Sequence, residues 1–274
     1  MKKSRKVNLI ILEICMLLCS LIIIFPMLIM ILGSVKDATE AARFNISLPE
    51  TFHFENFLMV IEKGSVIRSF INSVVITGIA TAAGVVIAAM AAFVIARRPG
   101  KGAERLYNLF FLGMVAPLQI ITTYLLLDLL HIRGSVGGLI LIYLAINLPF
   151  NIFMFTSFIR GVPRELDEAA TVDGCNVWRM FFSIILPVLK PVMATSCVIF
   201  AMNVWNDFQL PLYFLNSSDK WTMPLTVFKF YGQYFSNWNF VFADMVLTAL
   251  PILLVYLFAQ KFIVEGMTAG AVKG

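Results

Sequence analysis

The chain has 274 residues, 60% of them hydrophobic and only 14% charged, with a mean hydropathy of +0.88. A water-soluble fold could not hide that much apolar surface, so lipid is the solvent for most of the chain. The net charge of +5 comes from 21 basic and 16 acidic residues, and no basic run is interleaved with aromatics, which argues against a nucleic-acid partner.

A basic segment at residues 1–6 precedes a charge-free run over 14–35. That run is too long for a signal-peptide core and has no A-x-A-like cleavage site, so it reads as an uncleaved first span. Residues 36–68 form a mixed-charge loop with Pro49 and several phenylalanines. Residues 69–96 are uncharged and long enough for a second span at roughly 20 residues per crossing. Along it Ala80, Gly84, Ala88, Ala92 and Ala96 recur every fourth residue, a stripe that lets a neighbouring helix approach closely. After a basic turn at 97–101, a third span is expected over 106–127, kinked at Pro117. A fourth lies within 134–159 and holds Asn147 and Pro149. A fifth is expected over 188–205 and a sixth over 240–259, broken by Pro251. The fold expected is an all-α integral membrane protein with six transmembrane helices.

The positive-inside rule orients these spans. With the N-terminus in the cytoplasm, the inner segments hold 14 of the 21 Lys and Arg residues although the outer loops are longer. Both termini and residues 160–187 then lie on the cytoplasmic side. Three divisions follow: 1–68 with the first span and an outer loop, 69–262 as the membrane core, and 263–274 as a tail.

Chemistry is sparse. There is no GxxxxGK[ST] phosphate loop, no GxSxG and no HExxH, so neither ATP binding by that loop nor hydrolytic catalysis is expected. Cys15, Cys19, Cys175 and Cys197 form no CxxC, and His53 and His131 are isolated, so neither a disulfide framework nor a metal site is implied. The middle of each span lacks ionisable residues, which weighs against a proton- or sodium-coupled carrier. Backbone carbonyls can hold sodium, so that rival stays open.

The long polar interruption is residues 160–191. Pro163 suits the first position of a helix. Glu165, Asp167 and Glu168 then place negative charge near its N-terminus, where the helix dipole favours it. Asp173-Gly174 reads as a stop, since glycine readily takes the left-handed conformation. A second helical segment is expected over 176–185. Glu168-Ala169-Ala170, three residues, Gly174, nine residues, Ile184, one residue, Leu186-Pro187 resembles the EAA signature of permease subunits of binding-protein-dependent ABC importers.

That resemblance implies a type I ABC importer permease fold with an ATPase-coupling segment at 161–186, carried by Glu168, Ala169, Ala170, Asp173, Gly174, Ile184, Leu186 and Pro187. It extends to the last residue. Glu265, Gly266, Thr268 and Gly270 stand in a stretch similar to the C-terminal tail of the smaller permease of maltose-type carbohydrate importers, where such a tail contacts the ATPase subunits. Asn203, Trp205, Asn206 and Asp207 resemble the family's WNDF segment and are candidates for the substrate path. Trp205 suits an interfacial anchor equally well. The aromatic loop over 211–238 is expected to contact a binding protein. Thr122-Thr123-Tyr124 departs from the family's proline-containing pattern. The implied partners are a homologous permease subunit forming a heterodimer, two ATPase subunits, an extracytoplasmic solute-binding protein and the lipid bilayer. ATP would sit on partner subunits, with no cofactor or metal on this chain. A non-sugar solute such as glycerol phosphate or an amino acid, or a secondary carrier, are the alternatives.

Overall fold

The structure, a computed structural model, describes residues 2–98, 100–232 and 237–271, with side chains for 9–98, 100–232 and 237–261. Among these residues there is no β-strand. The helices in order are α1 (Lys2–Gly33), α2 (Ala38–Ala41), α3 (Glu55–Gly64), α4 (Val66–Arg97), α5 (Lys101–Val115), α6 (Ile120–Leu129), α7 (Val136–Arg160) and α8 (Glu165–Val172). They continue with α9 (Val177–Val188), α10 (Lys190–Trp205), α11 (Gln209–Phe214) and α12 (Trp238–Ala271). Four helices among the described residues are long and apolar enough to cross a membrane: α1 over Leu9–Gly33, α4, α7, and α12 over Trp238–Lys261. Counting α5 with α6 and α9 with α10 as one bent span each raises this to six.

The expected third span is not one kinked helix. It is two helices bent by 118° across an extended stretch at 116–119. Pro117 removes a backbone donor and biases Ala116 toward extended conformations, and Ala116 has φ −69°, ψ 122°. Four residues therefore leave the helix instead of one hydrogen bond. The fifth span is likewise preceded by a second helix: α9 meets α10 at 79° around Leu189, between Pro187 and Pro191. Pro251, expected to break the sixth span, lies inside an unbroken α12, as helices in lipid tolerate when neighbours re-satisfy the freed carbonyl.

The chain divides into two compact units, Met1–Ile67 with Thr226–Pro251 and Arg68–Leu225 with Ile252–Gly274. In the first, Phe242 packs so close to Gly33 that a Cβ there would lie 2.3 Å from its ring. Asn56 Nδ2 donates to the carbonyls of Ser34 and Lys36, and Asn239 Nδ2 donates to Asn56 Oδ1. The Lys36 side chain is buried and donates to Asn45 O, Asn45 Oδ1 and Ser47 Oγ. Near the start of α12, inside the expected sixth span, Asp244 is enclosed and accepts from Thr226 Oγ1. Much of the surface of α1 is exposed Leu, Ile, Met and Phe, as a helix facing acyl chains requires.

In the second unit the small-residue stripe on α4 is the packing surface. Ala80, Gly84, Ala88, Ala92 and Ala96 are all buried. The Phe200 ring of α10 lies over Gly84, filling the space a side chain would take. α7 runs beside it, with Leu139, Ile142, Ile152, Phe155 and Ile159 in the same core.

Candidate functional site

Two features of the second unit carry chemistry: the helix-turn-helix of α8 and α9, and a polar cavity between α7 and α10.

Helix α8 starts at Glu165, two residues after Pro163, with Glu165, Asp167 and Glu168 in its first turn. It ends in a full Schellman motif. The Cys175 N–H donates to Ala170 O at 2.9 Å, the Gly174 N–H donates to Thr171 O at 3.0 Å, and Gly174 has φ +74°. Asn176 then caps α9, its Oδ1 accepting from the Arg179 N–H at 2.8 Å. Within α9 a π-helical turn spans Phe181–Ile185, placing Ile184 half-buried beside the enclosed Phe181 and Ile185. Leu186 and Pro187 close that helix.

The signature residues divide between two faces. Glu168, Ala169, Asp173 and Gly174 are exposed, whereas Ala170 is 3% exposed and packs inside the chain. Leu166, Val172, Val177, Trp178 and Phe182 form an exposed apolar surface on the same two helices, Val172 at 87% and Trp178 at 62%. The Trp178 and Phe182 rings lie 6.4 Å apart, nearly parallel. Apolar groups this exposed beside carboxylates mark an interaction surface.

A residue outside the signature anchors this element. Arg97, the last residue of α4, forms an ion pair with Asp167, Nε to Oδ2 at 2.6 Å, and its Nη1 donates to Val162 O at 3.1 Å. Both side chains are largely buried. The sequence signal was present but ambiguous, because Arg97 stands in a basic turn that topology alone explains.

The cavity holds about 590 Å³ and is lined by Leu118, Tyr143, Ile146, Asn147, Met202, Asn203, Asn206, Asp207, Gln209 and Leu210. Leu118 comes from the extended break between α5 and α6, and irregular backbone at membrane depth is tolerated where it lines a cavity or is buried in protein. Asp207 is held on both oxygens: Oδ1 accepts from the N–H groups of Gln209 (2.9 Å) and Leu210 (3.4 Å), and Oδ2 accepts from the Tyr143 hydroxyl (2.9 Å). Asn203 Nδ2 approaches Asn147 Oδ1 at 3.4 Å, bridging α10 and α7.

Of the four residues expected on the substrate path, Asn203, Asn206 and Asp207 are brought together here. Trp205 does not line the cavity. It is 6% exposed and packs edge-to-face on Phe70, ring centroids 5.9 Å apart. Tyr143, Asn147 and Gln209 are additions. A signal existed for two of them, since Tyr143, Asn147 and Asn151 recur every fourth residue in an otherwise apolar helix. The tail residues Glu265, Gly266, Thr268 and Gly270 have side chains outside the described residues.

Comparison with known proteins adds four findings. Residues 84–269 match the model of the family described as binding-protein-dependent transport system inner membrane component. Over 278 residues and the full length of both chains, the sequence is 33% identical to the multiple sugar-binding transport system permease protein of Streptococcus mutans. It is 30% identical to the arabinooligosaccharides transport system permease protein of Bacillus subtilis, covering 94% of this chain and 93% of that one. The fold superimposes with a TM-score of 0.82 on a chain of a bacterial ABC transporter involved in import of the acidic polysaccharide alginate, at 20% identity over 94% of this chain and 97% of that chain.

Proposed function

The chain belongs to the family of binding-protein-dependent transport system inner membrane components, and from that premise we propose that it is a permease subunit of an ATP-driven carbohydrate importer. It forms half of the translocation pore, and a homologous permease supplies the other half. Two separate ATPase subunits carry the ATP, and an extracytoplasmic binding protein delivers the solute. This chain contributes no nucleotide site and no catalysis. Both termini and α8 face the cytoplasm, as the distribution of Lys and Arg favours.

The observation that carries this reading is α8 with its turn. A rigid, doubly capped element presents Glu168, Ala169, Val172 and Trp178 outward on a chain that has no phosphate-binding loop. Closure of the ATPase pair displaces α8 as a rigid body, and the bent spans swing with it. The tail at Glu265, Gly266, Thr268 and Gly270 docks on the same ATPase subunits.

The cavity favours a neutral sugar over an anionic solute. Asn147, Asn203, Asn206 and Gln209 both donate and accept, as hydroxyl groups require, and the lining includes Asp207 but no Lys or Arg. Tyr143 and the backbone hold Asp207 in place, leaving the exposed amides of Asn203, Asn206 and Gln209 to meet solute.

The test is reconstitution with co-purifying partners, scoring ATP hydrolysis and uptake against neutral oligosaccharides, uronates and glycerol phosphate, with and without binding protein. Stimulation by a neutral oligosaccharide, lost when Glu168→Lys is introduced, is the expected result. Ion-gradient-driven uptake by the chain alone, or stimulation by glycerol phosphate only, would refute it.

A further inference from the structure

The cytoplasmic-side end of α4 grips both helices of the coupling element. Arg97 Nε pairs with Asp167 Oδ2 in the first turn of α8, while Nη1 holds the carbonyl of Val162 just before that helix. One turn earlier on the same face of α4, the Phe93 ring meets Phe181 of the π turn in α9, centroids 5.6 Å apart. Phe93 and Phe181 are both enclosed. Each partner of the ion pair also suits its own helix, a cation at the C-terminal end of α4 and an anion at the N-terminal end of α8.

The covalent chain connects α8 only to α7 and α9. Without Arg97, displacement of α8 would reach α4 only indirectly. Arg97 Nη1 donates to the Val162 carbonyl while Nε lies 2.6 Å from Asp167 Oδ2 as a charge contact, two contacts on one planar group that an ammonium on a flexible stem cannot make together. The pair is also well shielded, side chains 11% and 18% exposed, so salt screens it less than a surface contact.

We propose that Arg97 and Asp167 are positioning residues that clamp the coupling helix to α4, so that motion of α8 is delivered directly to the second long helix and through its small-residue stripe to Phe200 and α10. This rests on the reading of α8 as the ATPase-facing helix. It adds a route: the stroke divides between α7, which is covalently continuous with α8, and α4, which is joined to it by this pair. Asn203 lies three residues beyond Phe200, so the α4 route ends beside the cavity.

The experiment measures solute taken up per ATP hydrolysed in proteoliposomes containing the assembled transporter, at matched amounts of inserted chain. Arg97→Gln and Asp167→Asn each lower that ratio about tenfold, as loss of a coupling free energy in the usual range implies, while hydrolysis continues. Arg97→Lys, which retains the charge and so inserts, gives an intermediate ratio because it loses the simultaneous hold on Val162. The reversed pair Arg97→Asp with Asp167→Arg recovers to within about threefold of the native ratio, the recovery a direct pairwise interaction predicts. Native ratios in Arg97→Lys and in every single variant that inserts overturn the clamp. So does a reversed pair that inserts and hydrolyses ATP with a ratio no better than the singles. Glu168→Lys, run alongside, separates the two levels. If it uncouples and the clamp variants do not, only the clamp falls; if it has no effect either, the ATPase-facing role of α8 falls first.

Discussion

Gly84→Ala is the sharpest test of the packing that supports the cavity. A Cβ built on Gly84 lies 2.3 Å from Phe200 Cε2, 2.7 Å from Phe200 Cζ and 3.2 Å from Leu144 Cδ2. Carbon atoms pack best at about 3.5–4.0 Å, so the ring must retreat by more than about 1 Å. Phe200 has no exposed surface and therefore no empty space to enter. Overpacking of this kind costs about 1–3 kcal/mol. Against it stands a helix-propensity gain of up to about 1 kcal/mol for replacing glycine. The net expectation is a loss of up to about 2 kcal/mol, a melting point lower by up to about 8 °C for a chain of this size. Gly78 provides the internal control. It lies on the same helix, is exposed, and has no heavy atom within 4 Å of a built Cβ, so Gly78→Ala should be neutral or slightly stabilising. Phe200→Leu, which shortens the obstructing ring, should recover part of the Gly84→Ala loss. The assay is thermal unfolding of the purified transporter in detergent, monitored on this subunit. A Gly84→Ala chain that melts at or above the native temperature, or Gly78→Ala causing the same loss, would show that the α4–α10 contact has been misread.

Three further outcomes are expected. Gly174→Ala meets no atom within 4 Å but must hold φ +74°, so it costs about 1–2 kcal/mol of backbone strain and Gly174→Asn less; equal melting points for the two variants would contradict the left-handed cap. Lys36→Met removes a buried donor from Asn45 and Ser47 and should expose residues 43–51 to protease, each lost hydrogen bond to the charged amine contributing about 1.5–3 kcal/mol at most because water can replace it at these exposed acceptors; unchanged digestion kinetics would count against that hub. Hydrogen bonds from the Glu40 N–H first, and from the Thr39 hydroxyl, hold the Asp37 carboxyl below its usual range. The folded value lies below the unfolded one, so this contribution is complete above the ordinary aspartate pKa of about 3.9 and lost as pH falls through the folded value. Protease nicking around α2 should rise on acidification in the native chain and be flat with pH in Asp37→Asn; parallel profiles would refute it.

The α8–α9 element was largely legible in the sequence. Pro163, the acidic residues at 165, 167 and 168 and the Asp173-Gly174 stop are local signals, and the helix, the Schellman turn and the second helix follow them. The α4 stripe was legible for the same reason, because a four-residue period places small side chains on one face wherever the helix goes. The break at 116–119 was less so. Pro117 announces a disturbance, but whether one hydrogen bond is lost or the chain turns by 118° depends on what packs on each half. Pro251, with the same chemistry, interrupts nothing.

What the amino-acid order determined by itself is the set of short-range choices: which stretches prefer lipid, where helices begin and stop, and the signature spacing carried by α8 and α9. What only the tertiary structure decided is which faces meet. Trp205 turns inward to Phe70 while Asn203 and Asn206 turn toward Tyr143 and Asn147, Ala170 faces in while Ala169 faces out, and Arg97 finds Asp167 across seventy positions of chain. The physical reason is one of range. Caps and hydropathy act within a turn or two, whereas the rotation and bend of each helix, which select these partners, are fixed by the packing of its neighbours.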